Sequence, residues 1–331
     1  MTRALAAVAL ALAILAAPAA AYVPPGAALV SASPALREQG DDASSQPDLS
    51  SDGRYVVFST AARNLFPPDV ADPPNAFYEG GVFRRDLVDG RLELVALGSR
   101  RDERTAGLLS RGAGNPSISA DGRWVVFSTG ESLVPADQNE QVDVYVRDMS
   151  VGRGEPGAYE LISARDGSDA PGRFERRTPA SPFRDPGADV APGTAISDDG
   201  RVVVFSVAEV ASDLPDHAAI DVPAGQVFVR DRSRRSTRLI TRVPGTSPPR
   251  PVSSPLGRVG LGPAVISADG STVAWAGQQA QQQTRFLAGE GNDGAIYYYL
   301  WQRIADGPDE IHRRAVARLE LRKRATVSAA A

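Results

Sequence analysis

The sequence predicts an all-β fold made of repeated four-stranded sheets, and three observations predict it. The stretch Pro116-Ser117-Ile118-Ser119-Ala120-Asp121-Gly122-Arg123-Trp124-Val125-Val126-Phe127-Ser128-Thr129 returns at 47–60, 194–206 and 264–276. Each copy joins a short apolar segment to a β-branched one through Asp-Gly, the pattern of a tight hairpin. Further strand-like segments follow each copy, and only the C-terminal tail shows a helical period. A unit recurring at long, regular spacing is the signature of a repeat architecture.

In chain order, residues 1–21 read as a signal peptide. Thr2-Arg3 is a basic start, Ala4 to Ala17 an apolar run, and Pro18-Ala19-Ala20-Ala21 a small-residue cleavage region. The apolar run is shorter than the ~20 residues of a spanning helix. Leu29-Val30-Ser31-Ala32 resembles the repeat ends Leu94-Val95-Ala96, Leu161-Ile162-Ser163-Ala164 and Leu239-Ile240-Thr241, so it is an orphan last strand.

Repeat one covers about 47–97, with third strand Val82 to Asp86. Repeat two covers 116–164, with third strand Val142 to Asp148. Repeat three covers 194–241, with third strand Gln226 to Asp231. Repeat four covers 263–302, with third strand Ala295 to Trp301. One such sheet cannot bury both faces, whereas blades stacked around an axis can. The expected fold is therefore a β-propeller over 22–303 with about four recognisable four-stranded blades. Strand 29–32 is expected to clasp the ring by pairing beside the third strand of the last blade. Residues 304–331 leave the repeat, as a tail that is helical or aberrant.

Composition narrows the partners. The chain has 331 residues, 42% hydrophobic, enough for a sizeable core. Net charge is −4 with both signs interspersed, which gives no basic face for nucleic acid. The absence of cysteine excludes disulfides, thiolate zinc sites, a cysteine nucleophile and a lipoprotein anchor.

The Ser-x-Asp-Gly-Arg-x-Val-x-Phe-Ser hairpin, followed by Val144-Tyr145-Val146-Arg147-Asp148 or Val227-Phe228-Val229-Arg230-Asp231, resembles the TolB-type β-propeller repeat family of bacterial exported proteins. The resemblance covers about 29–302. It implies a propeller and a binding role, and it carries no catalytic set. Two features depart from it: family rings commonly have six or more blades, and repeat four ends Trp301-Gln302-Arg303 in place of Arg-Asp.

In a four-stranded meander the first and third turns share one end. The long loops, about 61–80, 130–141, 165–193, 207–225 and 277–294, then share the other, which is the expected binding face. Asp137, Asn139 and Asp143 are oxygen ligands at a spacing that suggests calcium, without the glycine or distal Glu of an EF-hand; Asx turns capping a strand entrance are the simpler reading. Asp52-Gly53, Asp121-Gly122, Asp199-Gly200 and Asp269-Gly270 are assigned to two-residue hairpin turns, which need φ > 0, in preference to a carboxylate ring. Arg85-Asp86, Arg147-Asp148 and Arg230-Asp231 are expected to pair at strand ends. Tyr297, Tyr298, Tyr299 and Trp301 read as a buried strand. His217 and His312 are the only histidines, and no nucleophile elbow, phosphate loop or metal motif is present.

The combined expectation is an exported, non-enzymatic scaffold offering its loops to a protein or cell-envelope polymer, in the extracellular space, cell wall or periplasm. No cofactor, nucleic acid or membrane span in the mature chain is expected. Two alternatives stay open. One is a carbohydrate-active or other hydrolytic propeller, because paired loop carboxylates leave no sequence signature. The other is a truncated propeller without independent function.

Overall fold

The computed structural model describes residues 29–33, 38–67, 77–78, 80–98, 100–101, 113–138, 141–170, 174–175, 188–207, 211–212, 226–241, 264–278 and 296–302. Their regular structure is β apart from one 3-10 turn, Arg63–Leu65. Sheet one is Ser44–Leu49, Tyr55–Thr60, Gly81–Asp86 and Leu92–Leu97, antiparallel in chain order. Sheet two is Gly114–Ile118, Trp124–Thr129, Asp143–Asp148 and Tyr159–Leu161. Sheet three is Ala188–Asp189, Val202–Val207, Gln226–Asp231 and Ser236–Leu239. Sheet four is Val265–Ile266, Thr272–Gln278 and Ile296–Gln302, three strands among the described residues. The tail 304–331 lies outside the described residues.

In the first three sheets the second and third strands are buried on both faces, as their short continuous apolar runs require. The same cross-strand position holds a stacked aromatic pair in three sheets: Phe58–Phe83, Phe127–Tyr145 and Phe205–Phe228. Such pairs add about 0.5–1.5 kcal/mol to the area they bury. One core cluster joins sheet one to sheet two, and another joins sheets two, three and four. The sheets therefore bury their faces on one another in chain order.

The Asp-Gly turns are not two-residue hairpins. In sheet one the loop is four residues, 51–54, closed by Ser50 N–H to Tyr55 C=O at 3.0 Å. Gly53 N–H returns to Ser50 C=O at 2.9 Å, and only the glycine is left-handed, at φ 69°. The Asp52 carboxylate accepts from Ser50 Oγ (2.6 Å) and from Arg54 N–H (2.9 Å). Asp121, Asp199 and Asp269 repeat this arrangement with Ser119, Ser197 and Ser267. The side chains explain the difference: Asp52 takes the Arg54 N–H that would close a two-residue loop, and Ser50 Oγ accepts Tyr55 N–H at 2.9 Å.

The expected pairing within Arg-Asp is also corrected. Neighbours in a strand point to opposite faces, so the two side chains part. Each Asp takes the arginine of the adjacent turn: Arg54–Asp86 at 2.7 Å, Arg123–Asp148 at 2.7 Å and Arg201–Asp231 at 2.5 Å. It also caps the turn that follows, through Val88 N–H on Asp86 and Ser150 N–H on Asp148. First and third turns are thus tied together at one end. Sheet four loses both partners at once, with Ser271 and Gln302 in their places.

The arginines Arg85, Arg147 and Arg230 are buried among backbone carbonyls, and burial pushes their pKa values down. Arg147 bonds its own sheet, at Asp148, Val151 and Ala158. Arg230 reaches the chain leaving sheet two, at Arg165 C=O (3.0 Å) and Ser168 C=O (2.8 Å). Arg85 does the same to the N-terminal segment, bonding Val30 C=O at 2.7 Å and also Ala32 and Ser33 C=O. The segment expected as a strand at 29–32 is held by Arg85 beside sheet one, and Ala32 bridges Gln39; among the described residues 296–302 pairs with Thr272–Gln278.

Adjacent sheets meet through their tight turns. Ser51 N–H donates to Ala120 C=O (3.0 Å), Ala120 N–H to Asp198 C=O (3.0 Å), and Asp198 N–H to Ala268 C=O (2.8 Å). Gly122 lies flat on the Tyr55 ring and Gly200 on the Trp124 ring, so close that a Cβ would enter either ring. Above each ring sits a guanidinium, Arg84 at 4.3 Å from the Tyr55 centroid and Arg232 at 4.0 Å from that of Trp124. Arg84 bonds Glu93 and Gly122 C=O; Arg232 bonds Glu160 and Gly200 C=O. Glu93 and Glu160 occupy matching positions, but the arginines come from different strand positions and different sheets. At the third junction the set is absent, and Gly270 packs on Val202, 3.1 Å from where a Cβ would stand.

Two outcomes follow. Gly157, at φ 82°, has nothing within 4 Å of a built Cβ, whereas Gly122, at φ 74°, has the Tyr55 ring. Gly157→Ala is expected to cost about 1–2 kcal/mol of backbone strain. Gly122→Ala should cost a further ~1–3 kcal/mol of overpacking, read by thermal or denaturant unfolding. Equal losses would remove the ring contact as the reason for the glycine.

Burial pushes the Asp148 carboxyl up, but hydrogen bonds from Arg123 and Ser150 outweigh it and hold it well below the carboxylate range. Asp86 is held down likewise. A depressed folded pKa gives stability that is present above the unfolded value of about 4 and lost as pH falls through the folded one. Unfolding at pH 7 and pH 2 should show Asp148→Asn losing about 2 kcal/mol at pH 7 and clearly less at pH 2, with only a small change between pH 7 and pH 4. A loss independent of pH would be inconsistent with the ion pair.

Candidate functional site

Each first strand runs from the long-loop end toward the tight turn. Near its start the first three sheets share an irregularity. Gln46, Asn115 and Gly193 occupy matching positions and are left-handed, at φ 56°, 55° and 79°. The ladder to the second strand skips there, between Ser45 and Asp48 and between Gly114 and Ser117. Glycine takes this conformation freely, while Gln and Asn are strained by about 1–3 kcal/mol each. The fourth repeat has Pro263 at the match, whose ring fixes φ near about −65°.

The strained side chains meet. The Gln46 amide donates to Asn115 Oδ1, and Asn115 N–H donates back to Gln46 Oε1 at 2.9 Å. Ser59 Oγ also donates to Gln46 Oε1, at 3.0 Å. One step further in, Asp48 accepts from Ile118 N–H at 2.9 Å and from Leu49 N–H at 2.9 Å. Burial pushes its carboxyl up against these bonds and one from Ser117. Ser117 Oγ accepts from Ala195 N–H of sheet three at 3.1 Å. A Cβ on Gly193 would stand 3.7 Å from Asp48 Oδ1, so side chains of the first sheet reach the third. The first strands of three sheets thus converge on one polar axial cluster, half-buried at Gln46, Asp48 and Asn115. It offers amide donors and acceptors and a carboxyl group, the chemistry that recognises peptide backbone or sugar hydroxyls.

The loop ends gather around the same end. Phe77–Tyr78, in the middle loop of sheet one, pairs with Arg100–Arg101 in the loop leading to sheet two. Phe174–Glu175, in the loop leading to sheet three, pairs with Ala211–Ser212 in the middle loop of that sheet. Most residues of loops 61–80, 165–193, 207–225 and 277–294 lie outside the described residues, as do His217 and His312.

Of the three calcium candidates, Asn139 lies outside the described residues. Asp137 is buried and accepts from the Tyr145 hydroxyl, whose pKa is pushed far up by burial and by that carboxylate. Asp143 accepts from Ser163 Oγ, which in turn accepts from Val144 N–H at 3.0 Å. Thr241 and Gln226 form the matching pair in sheet three, and sheet one substitutes Ala96 and Gly81. Both carboxylates therefore take part in strand packing. Among the described residues no three His, Cys, Asp or Glu side chains form a group able to hold a metal ion, and no helix is long and apolar enough to cross a membrane. Tyr297, Tyr298, Tyr299 and Trp301 stand on the third strand of sheet four, opposite Gly277, Ala276, Trp275 and Val273.

The sequence reading missed Gln46 and Asn115. A signal existed, since Asn and Gly are the residues most tolerant of the left-handed region and they align at 115 and 193.

No protein-family model matches the chain, and no curated protein matches it. Among solved structures it is similar to TolB from Acinetobacter baumannii, at 14% identity over 81% of this chain and 43% of that one, with a TM-score of 0.38. It is similar to Pyrococcus horikoshii acylaminoacyl peptidase at 11% identity, over 81% and 32% of the two chains, with a TM-score of 0.38. It is similar to the tricorn protease at 11% identity, over 77% and 21%, with a TM-score of 0.37. The chain spans less than half the length of each of these. The expectation of a protein without enzymatic activity is withdrawn, because the similar structures include peptidases. At these identities and TM-scores they assign this chain no activity.

Proposed function

We propose that the sheets are blades of an exported β-propeller and that the chain is a binding scaffold. Its long-loop end, centred on Gln46, Asp48, Asn115 and Ser117, takes a protein or a cell-envelope polymer. The blade reading is supported by the meander order, the tight turns gathered at one end and the burial of each sheet on the next. Export is supported by the basic start, apolar run and small-residue region of residues 1–21.

The observation that carries the binding reading is the strained amide pair. Two non-glycine residues hold left-handed backbone at the axis, where the third sheet uses glycine. Strain of this kind is costly to keep and gathers at ligand sites. Glycine at either place would relieve it, so the amides are present for what they contact.

The test separates fold from binding. The full chain is immobilised and exposed to purified cell-wall polymer and, separately, to solubilised envelope proteins. Gln46→Gly with Asn115→Gly releases backbone strain but loses the amide hydrogen bonds, so the unfolding temperature should change little. Affinity for the captured partner should fall at least about tenfold, equivalent to ~1.4 kcal/mol. Undiminished capture by the double variant would show that the axial amides are not the site.

A further inference from the structure

The junction between sheets is built three times, and its two halves are left over at the ends. Every sheet after the first buries the isoleucine just before its tight turn against the sheet before it: Ile118 is 7% exposed, Ile196 7% and Ile266 9%. The matching residue of sheet one, Leu49, is 56% exposed. Gly122, Gly200 and Gly270 each press on a side chain of the preceding sheet, whereas a Cβ on Gly53 would meet nothing within 4 Å among the described residues. Ala120, Asp198 and Ala268 each accept an N–H from the preceding turn; the matching acceptor of sheet one is Ser51 C=O, and the donor left over in sheet four is Ala268 N–H. Sheet one therefore presents a prepared face for a preceding sheet, and sheet four carries the half that fits it. Among the described residues the four sheets of one chain leave that face uncovered.

The N-terminal segment fixes what the missing neighbour looks like. Arg85 holds the carbonyls of Val30, Ala32 and Ser33 as Arg230 holds those of Arg165 and Ser168, just beyond the last strand of the preceding sheet. Residues 29–33 thus stand where the fourth strand of a preceding sheet would end. Sheet four shows three strands among the described residues.

We propose that the occupant is sheet four of a second copy of this chain. Its third strand, Ile296–Gln302, comes to lie beside residues 29–32 of the chain it docks on, which supply its fourth strand. Leu49 is covered, the Gly53 turn rests on Thr272 as Gly270 rests on Val202, and Ala268 N–H of the second copy donates to Ser51 C=O. The contact is head-to-tail, and a twofold axis makes it reciprocal, so two chains close a ring. Eight sheets are within the range of propeller rings, about four to eight. This inference rests on the blade reading of the sheets and is independent of the ligand.

The chain has no cysteine, so Ser51→Cys and Ala268→Cys can each be placed alone in the full chain. Residues joined N–H to C=O across adjacent turns are near disulfide reach. A mixture of the two single variants, oxidised, should give a disulfide-linked dimer that neither gives alone. Light scattering of the unsubstituted chain should give twice the chain mass. Leu49→Asp, at a residue exposed in the single chain, should shift dissociation by about a hundredfold or more, since it buries a charge at both contacts. A monomeric mass with no cross-link in the mixture would overturn the inference. So would an intrachain disulfide in monomers of the doubly substituted chain, which would mean that sheet four closes on its own sheet one. Failure of envelope capture alters none of these readouts, so the two proposals fail separately.

Discussion

The structure depends on one contact, the glycine of each tight turn pressed on the sheet before it. Gly122 and Gly200 must be left-handed to close a four-residue loop and must lack a Cβ to lie on an aromatic ring. The backbone hydrogen bond between turns and the guanidinium above each ring follow from that approach, because the turn carbonyl is then within reach of both. Cation–π stacking on a partly desolvated ring is worth about 0.5–2 kcal/mol, so the set is an appreciable part of each junction. Arg84 and Arg232 fill equivalent places from different origins, which shows that the place is determined by the ring, the glutamate and the carbonyl and not by the strand position that supplies the cation.

Charge inside the repeat is divided between two tasks. The aspartate ending each third strand takes the arginine of the neighbouring turn and organises its own, joining two turns at one end of the sheet. The arginine before it is buried and its charge is met chiefly by backbone carbonyls, with Asp169 standing 3.8 Å from Arg230. A cation held this way is expensive to bury unless every carbonyl is in place. Arg85 and Arg230 each require a segment from outside their own sheet, which ties the N-terminal residues to sheet one and the exit from sheet two to sheet three.

The polar axial cluster uses the opposite end. Tight turns fix the sheets to one another at one end, which leaves the other free to vary in loop length. Where the first strands begin, backbone irregularities turn Gln46 and Asn115 toward each other, and Asp48 and Ser117 take the N–H groups of the next sheet's first strand. Among the described residues no further strand accepts these N–H groups, and an unmet buried N–H is costly. The same side chains that meet this need give the end its recognition chemistry.

The recurrence of Ser-x-Asp-Gly-Arg, the β-branched strands and the aromatic positions were legible in sequence, because strand alternation and turn chemistry are local. So was the meander, since short turns force antiparallel neighbours. The partners of Asp86, Asp148 and Asp231 were not legible: adjacency suggested Arg85, Arg147 and Arg230, and side-chain alternation together with the approach of the first turn chose Arg54, Arg123 and Arg201. The axial site was legible only in outline, because a left-handed Gln or Asn is recognised by its backbone and by the sheet that meets it. The sequence by itself determined the unit and its repetition. Tertiary structure alone decided where residues 29–33 sit, how many residues close each turn and which face of sheet one is left uncovered, because these depend on contacts between units that no local pattern encodes.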